Sequence, residues 1–301
     1  MTTPAKSYVL RRKPPGVLLK GAHAVEREAK VLQELWSMGF PVPRVHGVCM
    51  NEEILGTRFY VMDHIEGRVI WDATFPEVDI TQRPLYFDAM NEAIAQLHCI
   101  NYTQAGLEDY GRPGEYLERQ IARWTSQYAD DASLVGRDPF IEKLIEWLPV
   151  HIPSSTECSI VHGDFRVDNM IFHPSEPRVI AVLDWELSTL GNPLADFAYH
   201  LMMFRMPPQI IAGLAGSDLA KLNIPTETEY IAAYCARTGR ENIPDLDFYL
   251  SFNMFRLAAI LHGIHGRLIR GSAVSPHARE MAASYPFVAK LAWQQSQGDQ
   301  S

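Results

Sequence analysis

Cysteine is scarce in this sequence. The four present, Cys49, Cys99, Cys158 and Cys235, are scattered and form no Cys-x-x-Cys pair. That excludes a disulfide framework and a thiolate zinc site, and fits reduced thiols in a cytoplasmic protein. Positive charge is also short. Lys and Arg number 27 against 36 Asp and Glu, for a net charge of −9. A general nucleic-acid surface would want a basic stripe instead, so no nucleic-acid partner is expected. No apolar run reaches the length of a membrane span, and the charged N-terminus has no apolar signal core, so no membrane association is expected. Internal repeats and low-complexity tracts are absent too. None of this bears on oligomeric state. What remains is a chain of 301 residues that is 47% hydrophobic, an ordinary globular composition with room for one large domain or two lobes.

The most informative stretch is residues 160–187. Ile160 and Val161 lead into His162-Gly163-Asp164. Met170, Ile171 and Phe172 form a short apolar run, His173-Pro174-Ser175-Glu176-Pro177 is a turn cluster, and a β-branched run from Val179 ends on Asp184. The pattern predicts strand, tight turn, strand, turn and strand. Asp164, Asn169 and Asp184 then sit at strand ends, with Asp184 one hairpin away and able to fold back beside the other two.

Such a set suits phosphoryl transfer, which needs a carboxylate to orient the attacking hydroxyl and oxygen ligands for Mg²⁺ between phosphates. The kinase pattern His-Arg-Asp-x-x-x-x-Asn with a later metal-binding Asp has the same spacing as His162, Gly163, Asp164 and Asn169 followed by Asp184. Asp164 is the candidate catalytic residue, and Asn169 and Asp184 are the candidate Mg²⁺ ligands. Asp168 suits either a turn or substrate positioning. Turn chemistry alone accounts for Asp and Asn at strand ends. It does not account for the joint spacing. A metallohydrolase would need further His ligands, and His162 and His173 are not placed at metal spacing.

Several segments together carry a family resemblance: YVLRRKPPG from Tyr8, AHAVEREAKVL from Ala22, PVPRV from Pro41, FYVMDHIEG from Phe59, HGDFRVDNMIF from His162 and AVLDWELSTLGNPLADFAYH from Ala181. Over nearly its whole length the chain resembles the aminoglycoside phosphotransferase family of small-molecule kinases. It looks nearest to the branch related to the kinase-like domain of acyl-CoA dehydrogenase fusion proteins. The resemblance implies an α+β, protein-kinase-like bilobal fold, with a small N-terminal lobe built on an antiparallel sheet over residues 1–66 and a larger, mostly helical lobe over residues 67–301. It implies ATP with Mg²⁺ and a small hydroxylated acceptor. It places Arg11 on the nucleotide phosphates, in place of the usual Lys, and pairs it with a Glu on the next helix. Glu26 and Glu28 are both candidates, and the Val-Glu-Arg-Glu pattern favours Glu28. Acidic residues in a first helical turn also satisfy the helix dipole. Asp63 C=O and Ile65 N–H would meet the adenine at the hinge between lobes.

Periodicity predicts further helices over residues 24–39, 85–100, 116–128, 140–147, 194–204, 226–237 and 247–263. The last is apolar almost all round, which marks a buried helix in which Arg256 and His262 need partners. The span 190–193 reads as a turn. His98 reads as a packing residue, and Asp196 as a brace of the catalytic loop or a helix-start charge. The stretch after Asp184 reaches a helix within about ten residues and holds no Ala-Pro-Glu, so a peptide-docking activation loop has little room. A hydroxyacyl-CoA acceptor would want Arg, for which Arg119, Arg123, Arg166, Arg256 and Arg267 are available, whereas an aminoglycoside would want an acidic pocket. A catalytically impaired nucleotide-binding or scaffold protein is the third reading. Residues 1–7 are too few for two further strands and a phosphate-covering loop ahead of Arg11, so the N-terminal lobe is expected to be truncated and ATP affinity weak.

Overall fold

Two sets of chain segments, each interrupted in sequence, make up the computed structural model, which describes residues 6–13, 24–272 and 278–298. Residues 14–16, within the segment from Tyr8 that carries the resemblance, and the stretch at residues 1–5 lie outside the described residues. The first unit comprises Met1–Arg112, Ser159–Leu190 and Ser217–Glu241, and the second Pro113–Cys158, Gly191–Gly216 and Asn242–Ser301.

In chain order the elements begin with β1 (Tyr8–Arg12), α1 (Val25–Ser37), β2 (Val45–Cys49), β3 (Phe59–Asp63), β4 (Arg68–Val69) and α2 (Arg83–Cys99). Next come α3 (Tyr116–Val135), α4 (Pro139–Trp147), β5 (Ser159–Val161), β6 (Met170–Phe172), β7 (Val179–Val182) and β8 (Thr189–Gly191). The chain continues with α5 (Pro193–Leu201), α6 (Leu219–Leu222), α7 (Glu227–Thr238), α8 (Leu246–Ile269), α9 (Ala278–Ala283) and α10 (Tyr285–Ser296).

In the first unit, β1, β3 and β2 form an antiparallel sheet in that order. The register sets Arg11 opposite Tyr60. Residues directly opposite share a face of the sheet, so both side chains project together. α1 packs on this sheet through Val25, Glu28, Ala29, Val31, Leu32 and Leu35, a helical stripe of buried positions. It stops where Gly39 takes a left-handed φ of 77° one residue after the C-cap Met38. A second small sheet runs β4-β6-β7, and β5 pairs with β8. α2 buries Phe87, Met90, Ile94 and Leu97, the face its periodicity predicted. It packs on α7, whose N-terminus is closed by a reciprocal pair: Thr226 Oγ1 accepts from the Glu229 amide at 3.2 Å, and Glu229 accepts from the Thr226 amide at 2.8 Å.

The second unit is built on α8. Its apolar surface runs nearly all round, so it needs neighbours on every side, and α3, α4, α5, α9 and α10 supply them. Fully burying a side chain such as Phe252 or Phe255 contributes about 1.5–3 kcal/mol. Asn253 is buried within α8 and donates to Ala195 O of α5 at 2.8 Å, so its amide is satisfied. The span 190–193, read from sequence as a turn, is instead the end of β8 followed by a helix cap: Asn192 accepts from the amides of Leu194 and Ala195 at 2.9 and 3.1 Å, with Pro193 in the first turn. Asp138 caps α4 in the same way, ahead of Pro139.

Candidate functional site

β5 delivers His162, and the chain then turns through Gly163, at φ 81°, into Asp164. A Cβ at Gly163 would lie 2.8 Å from Leu187 O, so backbone conformation and close approach both demand glycine. His162 is fully buried. Its Nδ1 accepts from the Asp164 amide at 3.2 Å, which leaves the ring proton on Nε2 to be donated to Leu183 O at 2.8 Å. A 3-10 turn at Val167–Asn169 brings the Asn169 amide back, where Nδ2 donates to Asp164 O at 2.9 Å and Asp164 Oδ2 at 3.1 Å. The Leu183 amide in turn donates to Asn169 O at 2.8 Å. Hydrogen bonds therefore join Asp164, Asn169 and the residues just past β7, where Asp184 lies two positions beyond the strand end expected for it.

Asp184 itself is left-handed, at φ 64°, a conformation uncommon for a residue with a Cβ and held only where its surroundings over-determine it. Here buried Trp185 anchors the next position. Its Nε1 donates to Val182 O at 3.0 Å, and its ring meets Phe40 and His162 edge-on.

Arg11 closes the site from β1. Its Nε lies 3.2 Å from Glu28 Oε2, and Nη2 lies 3.3 Å from Asp184 Oδ1 and 3.7 Å from Glu186 Oε2. Burial alone would lower the Arg11 guanidinium, but the Glu28 and Asp184 carboxylates outweigh it and hold the group above its ordinary value. Tyr60, opposite Arg11 in the sheet, donates to the same Glu28 oxygen at 3.1 Å. Burial and that carboxylate keep its hydroxyl protonated far above the usual phenol range.

These groups surround a cavity of about 230 Å³. Its lining combines the polar residues Arg11, Glu28, Asn169 and Asp184 with the apolar Leu32, Pro43, Met62 and Val182. Asp164 lies outside this lining and is paired instead with Arg166, whose Nε is 3.2 Å from Asp164 Oδ1 and whose Nη2 is 2.9 Å from Asp168 Oδ2. Burial raises the Asp168 carboxyl above its usual range, against the pull of Arg166. Asp63 and Ile65 also lie outside the lining. Asp63 is the last residue of β3, and its carboxylate takes Lys6 and His46, each at 2.8 Å. His98 is bonded through Nδ1 to Tyr234 Oη at 2.7 Å, as a packing residue would be. The His262 ring lies 4.6 Å from the Tyr128 ring, tilted by 52°, and bonds Gly136 O at 2.9 Å. Tyr60 and the Arg166 clamp escaped the sequence reading. The Tyr60 contact was readable only from the strand register, which no local pattern fixes.

Asn169 and Asp184 offer hard oxygen donors, the chemistry Mg²⁺ prefers. No cluster of three His, Cys, Asp or Glu among the described residues could hold a metal ion unaided.

A cavity lined by one guanidinium and several oxygen donors, beside a hydrogen-bonded Asp-Asn turn, is the arrangement of a kinase-like fold. The chain belongs to the phosphotransferase enzyme family, whose profile matches residues 1–249. A crystal structure from Ralstonia eutropha JMP134, provisionally described as an aminoglycoside phosphotransferase, is 44% identical, covers 99% of this chain and 88% of its own, and superposes with a TM-score of 0.90. Acyl-CoA dehydrogenase family member 10 of Mus musculus is 41% identical over 96% of this chain, and member 11 of Homo sapiens is 41% identical over 89%. The chain spans only 27% and 34% of those two proteins. Choline kinase from Cryptosporidium parvum, at 13% identity and a TM-score of 0.61 over 97% of this chain and 84% of its own, shares the fold.

Proposed function

We propose that this chain is a small-molecule kinase that transfers the γ-phosphoryl group of ATP to a hydroxyl group. The observation that carries the reading is the hydrogen-bonded set Asp164–Asn169–Leu183 running into Asp184, with Arg11 spanning Glu28 and Asp184. Arg11 would meet the phosphates, and Asp63 C=O and Ile65 N–H the adenine, at the hinge of a division into residues 1–66 and 67–301. Asn169 and Asp184 would hold Mg²⁺, which when bound neutralises charge developing on the phosphates. Asp164 would accept a hydrogen bond from the acceptor hydroxyl and hold its oxygen in line with phosphorus. The new P–O bond forms as the bond to the ADP oxygen breaks, and the hydroxyl proton passes to Asp164. Because Arg166 already neutralises part of the Asp164 charge, orientation is the larger part of its role.

The acceptor we favour is an anionic hydroxyacyl-CoA, because the relatives named above are acyl-CoA dehydrogenase family members. We assign the chain to the cytoplasm, which its four free cysteines support. Among the described residues no helix is long and apolar enough to cross a membrane. ADP release measured over a panel of hydroxyacyl-CoAs, simple hydroxy acids and aminoglycosides tests the function, with Asp164→Asn as the blank. Turnover of a hydroxyacyl-CoA that vanishes in the blank is the expected result. ADP release confined to aminoglycosides would reverse the acceptor, and none with any acceptor would leave a nucleotide-binding protein.

A further inference from the structure

Asp168 sits beside Asn169 in the turn that follows Asp164, and the transfer step makes no direct use of it. Its side chain is 16% exposed, and its Oδ2 lies 2.9 Å from Arg166 Nη2. Arg166 Nε is buried and lies 3.2 Å from Asp164 Oδ1. One guanidinium therefore bridges two carboxylates, with Asp168 on one arm of its fork and Asp164 on the other. A planar guanidinium makes such a bridge with fixed geometry, which a compact ammonium does not. All three residues, and Asn169 with them, belong to the first unit.

The turn itself does not need this bridge. Its backbone is closed where the Asn169 amide donates to Arg166 O at 3.0 Å and Asn169 Nδ2 donates to Asp164 O at 2.9 Å. Nor is a partly buried ion pair a strong source of stability, because desolvating the charges offsets much of their attraction. What the bridge fixes is the carboxylate plane of Asp164. The terminal torsion of an Asp side chain is broad, and a single hydrogen bond leaves the plane free to turn. Asp164 is held at both oxygens: Oδ2 accepts from Asn169 Nδ2 at 3.1 Å, and Oδ1 meets Arg166 Nε. An ionised carboxylate offers about four acceptor positions, so lone pairs remain for an incoming hydroxyl. Arg166 hangs on a long rotatable stem, and Asp168 anchors the other arm of its fork.

We propose that Asp168 is a positioning residue: by anchoring Arg166 it fixes the plane in which the Asp164 carboxylate meets the acceptor hydroxyl. The inference rests on the kinase reading above, and in it Asp168 touches neither nucleotide nor acceptor. Its loss should therefore appear in kcat and leave the KM values for ATP and acceptor near those of the parent, because alignment in the transition state is lost and the binding contacts are not. Its effect should also pass through Arg166, so that it disappears when Arg166 is already gone.

The test is a double-mutant cycle in the full chain, with kinetics and a structural readout on each member. Asp168→Asn should lower kcat about tenfold or more, with Asp168→Glu, which keeps the charge on a longer stem, between it and the parent. Added to Arg166→Gln, the same Asp168→Asn change should lower kcat by less than about twofold further. Losses that multiply, or a raised acceptor KM at unchanged kcat, would mean that Asp168 acts on its own or meets substrate directly, and either overturns the inference. The structural arm labels the chain with ¹⁵N-arginine and follows solvent exchange of the Arg166 Nε–H without nucleotide or acceptor, its cross-peak assigned by its loss in Arg166→Lys. Exchange should be slow in the parent and about tenfold faster in Asp168→Asn, as release of one arm of the fork implies. Unchanged exchange overturns the anchoring. Should Asp168→Asn fail to fold, Asp168→Glu takes its place in both arms, with smaller shifts of the same sign expected and their absence counting against the inference. If no acceptor consumes ATP while the exchange responds as expected, the kinase reading falls and the Asp168–Arg166 anchor stands. Turnover by the parent with unresponsive exchange sinks this inference alone.

Discussion

His162 donates from Nε2 to Leu183 O at 2.8 Å while its Nδ1 receives the Asp164 amide. One buried ring therefore spaces the Asp164 turn from the segment after β7 that carries Asp184. His162→Phe should leave that amide and that carbonyl unpaired and cost about 3 kcal/mol, from two buried groups at about 1–3 kcal/mol each. It should also lower turnover on the order of a hundredfold, because displacing either carboxylate by an ångström misaligns the reacting groups. Denaturant unfolding and ADP-release rates measure the two effects separately. A stable variant with full activity would mean the ring is only filler.

Asp164 and Asp184 should fail differently. Asp164→Asn removes a carboxylate outside the cavity, the one proposed to orient the hydroxyl, and should abolish transfer while nucleotide affinity stays within a few-fold of the parent. Asp184→Asn removes a charged oxygen donor inside the cavity and should weaken Mg·ATP binding by about tenfold or more. Calorimetric titration with a non-hydrolysable ATP analogue separates them. Equal affinities for parent and Asp184→Asn would remove it from the metal.

Arg11 reaches Glu28 through Nε and Asp184 through Nη2. A lysine ammonium is a point charge on a longer unbranched stem and cannot span two carboxylates with a fixed fork. Arg11→Lys should raise KM for ATP about tenfold with a smaller change in kcat, and Arg11→Met should do worse on both. If Arg11→Lys matched the parent, charge alone would be the requirement.

Asp63 supplies a pH signature away from the chemistry. Burial alone would raise its carboxyl, but hydrogen bonds from Lys6 and His46 hold it below its ordinary 3.8. A depressed carboxyl stabilises the folded state above the unfolded-state value and loses that contribution as pH falls through the folded-state value. The Tm advantage of the parent over Asp63→Asn should therefore be steady near neutrality and close as pH drops below about 4. A gap that widened on acidification would reverse the sign of the interaction.

Much of the fold was legible because its signals are local. The stripe Phe87, Met90, Ile94 and Leu97 fixed α2, and the Asp-Asn spacing with its following apolar run fixed the turn at Asp164. The Arg11–Glu28 pair was nameable only through resemblance, since nothing local links residues on different elements. β2 was missed because a register shift between Val45 and Gly47 breaks its alternation. β8 was hidden by the Gly-Asn-Pro sequence that caps the next helix. α10 buries Val288, Ala289, Ala292 and Gln295, and small alanines leave little hydrophobic period to read.

The interleaving of the two units has a consequence for synthesis on the ribosome. Six alternating segments mean that the chain passes from one unit to the other four times before the first is complete and a fifth time before the second is. α8, the helix that α3, α4 and α5 pack against, belongs to the final segment from Asn242 onward. Until that segment emerges, the apolar faces of those three helices have no core to join and must be kept from aggregating by chaperones or by transient contacts. The second unit therefore cannot complete its core until the segment from Asn242 has emerged, and truncations within that segment should yield insoluble chains, not a smaller folded domain.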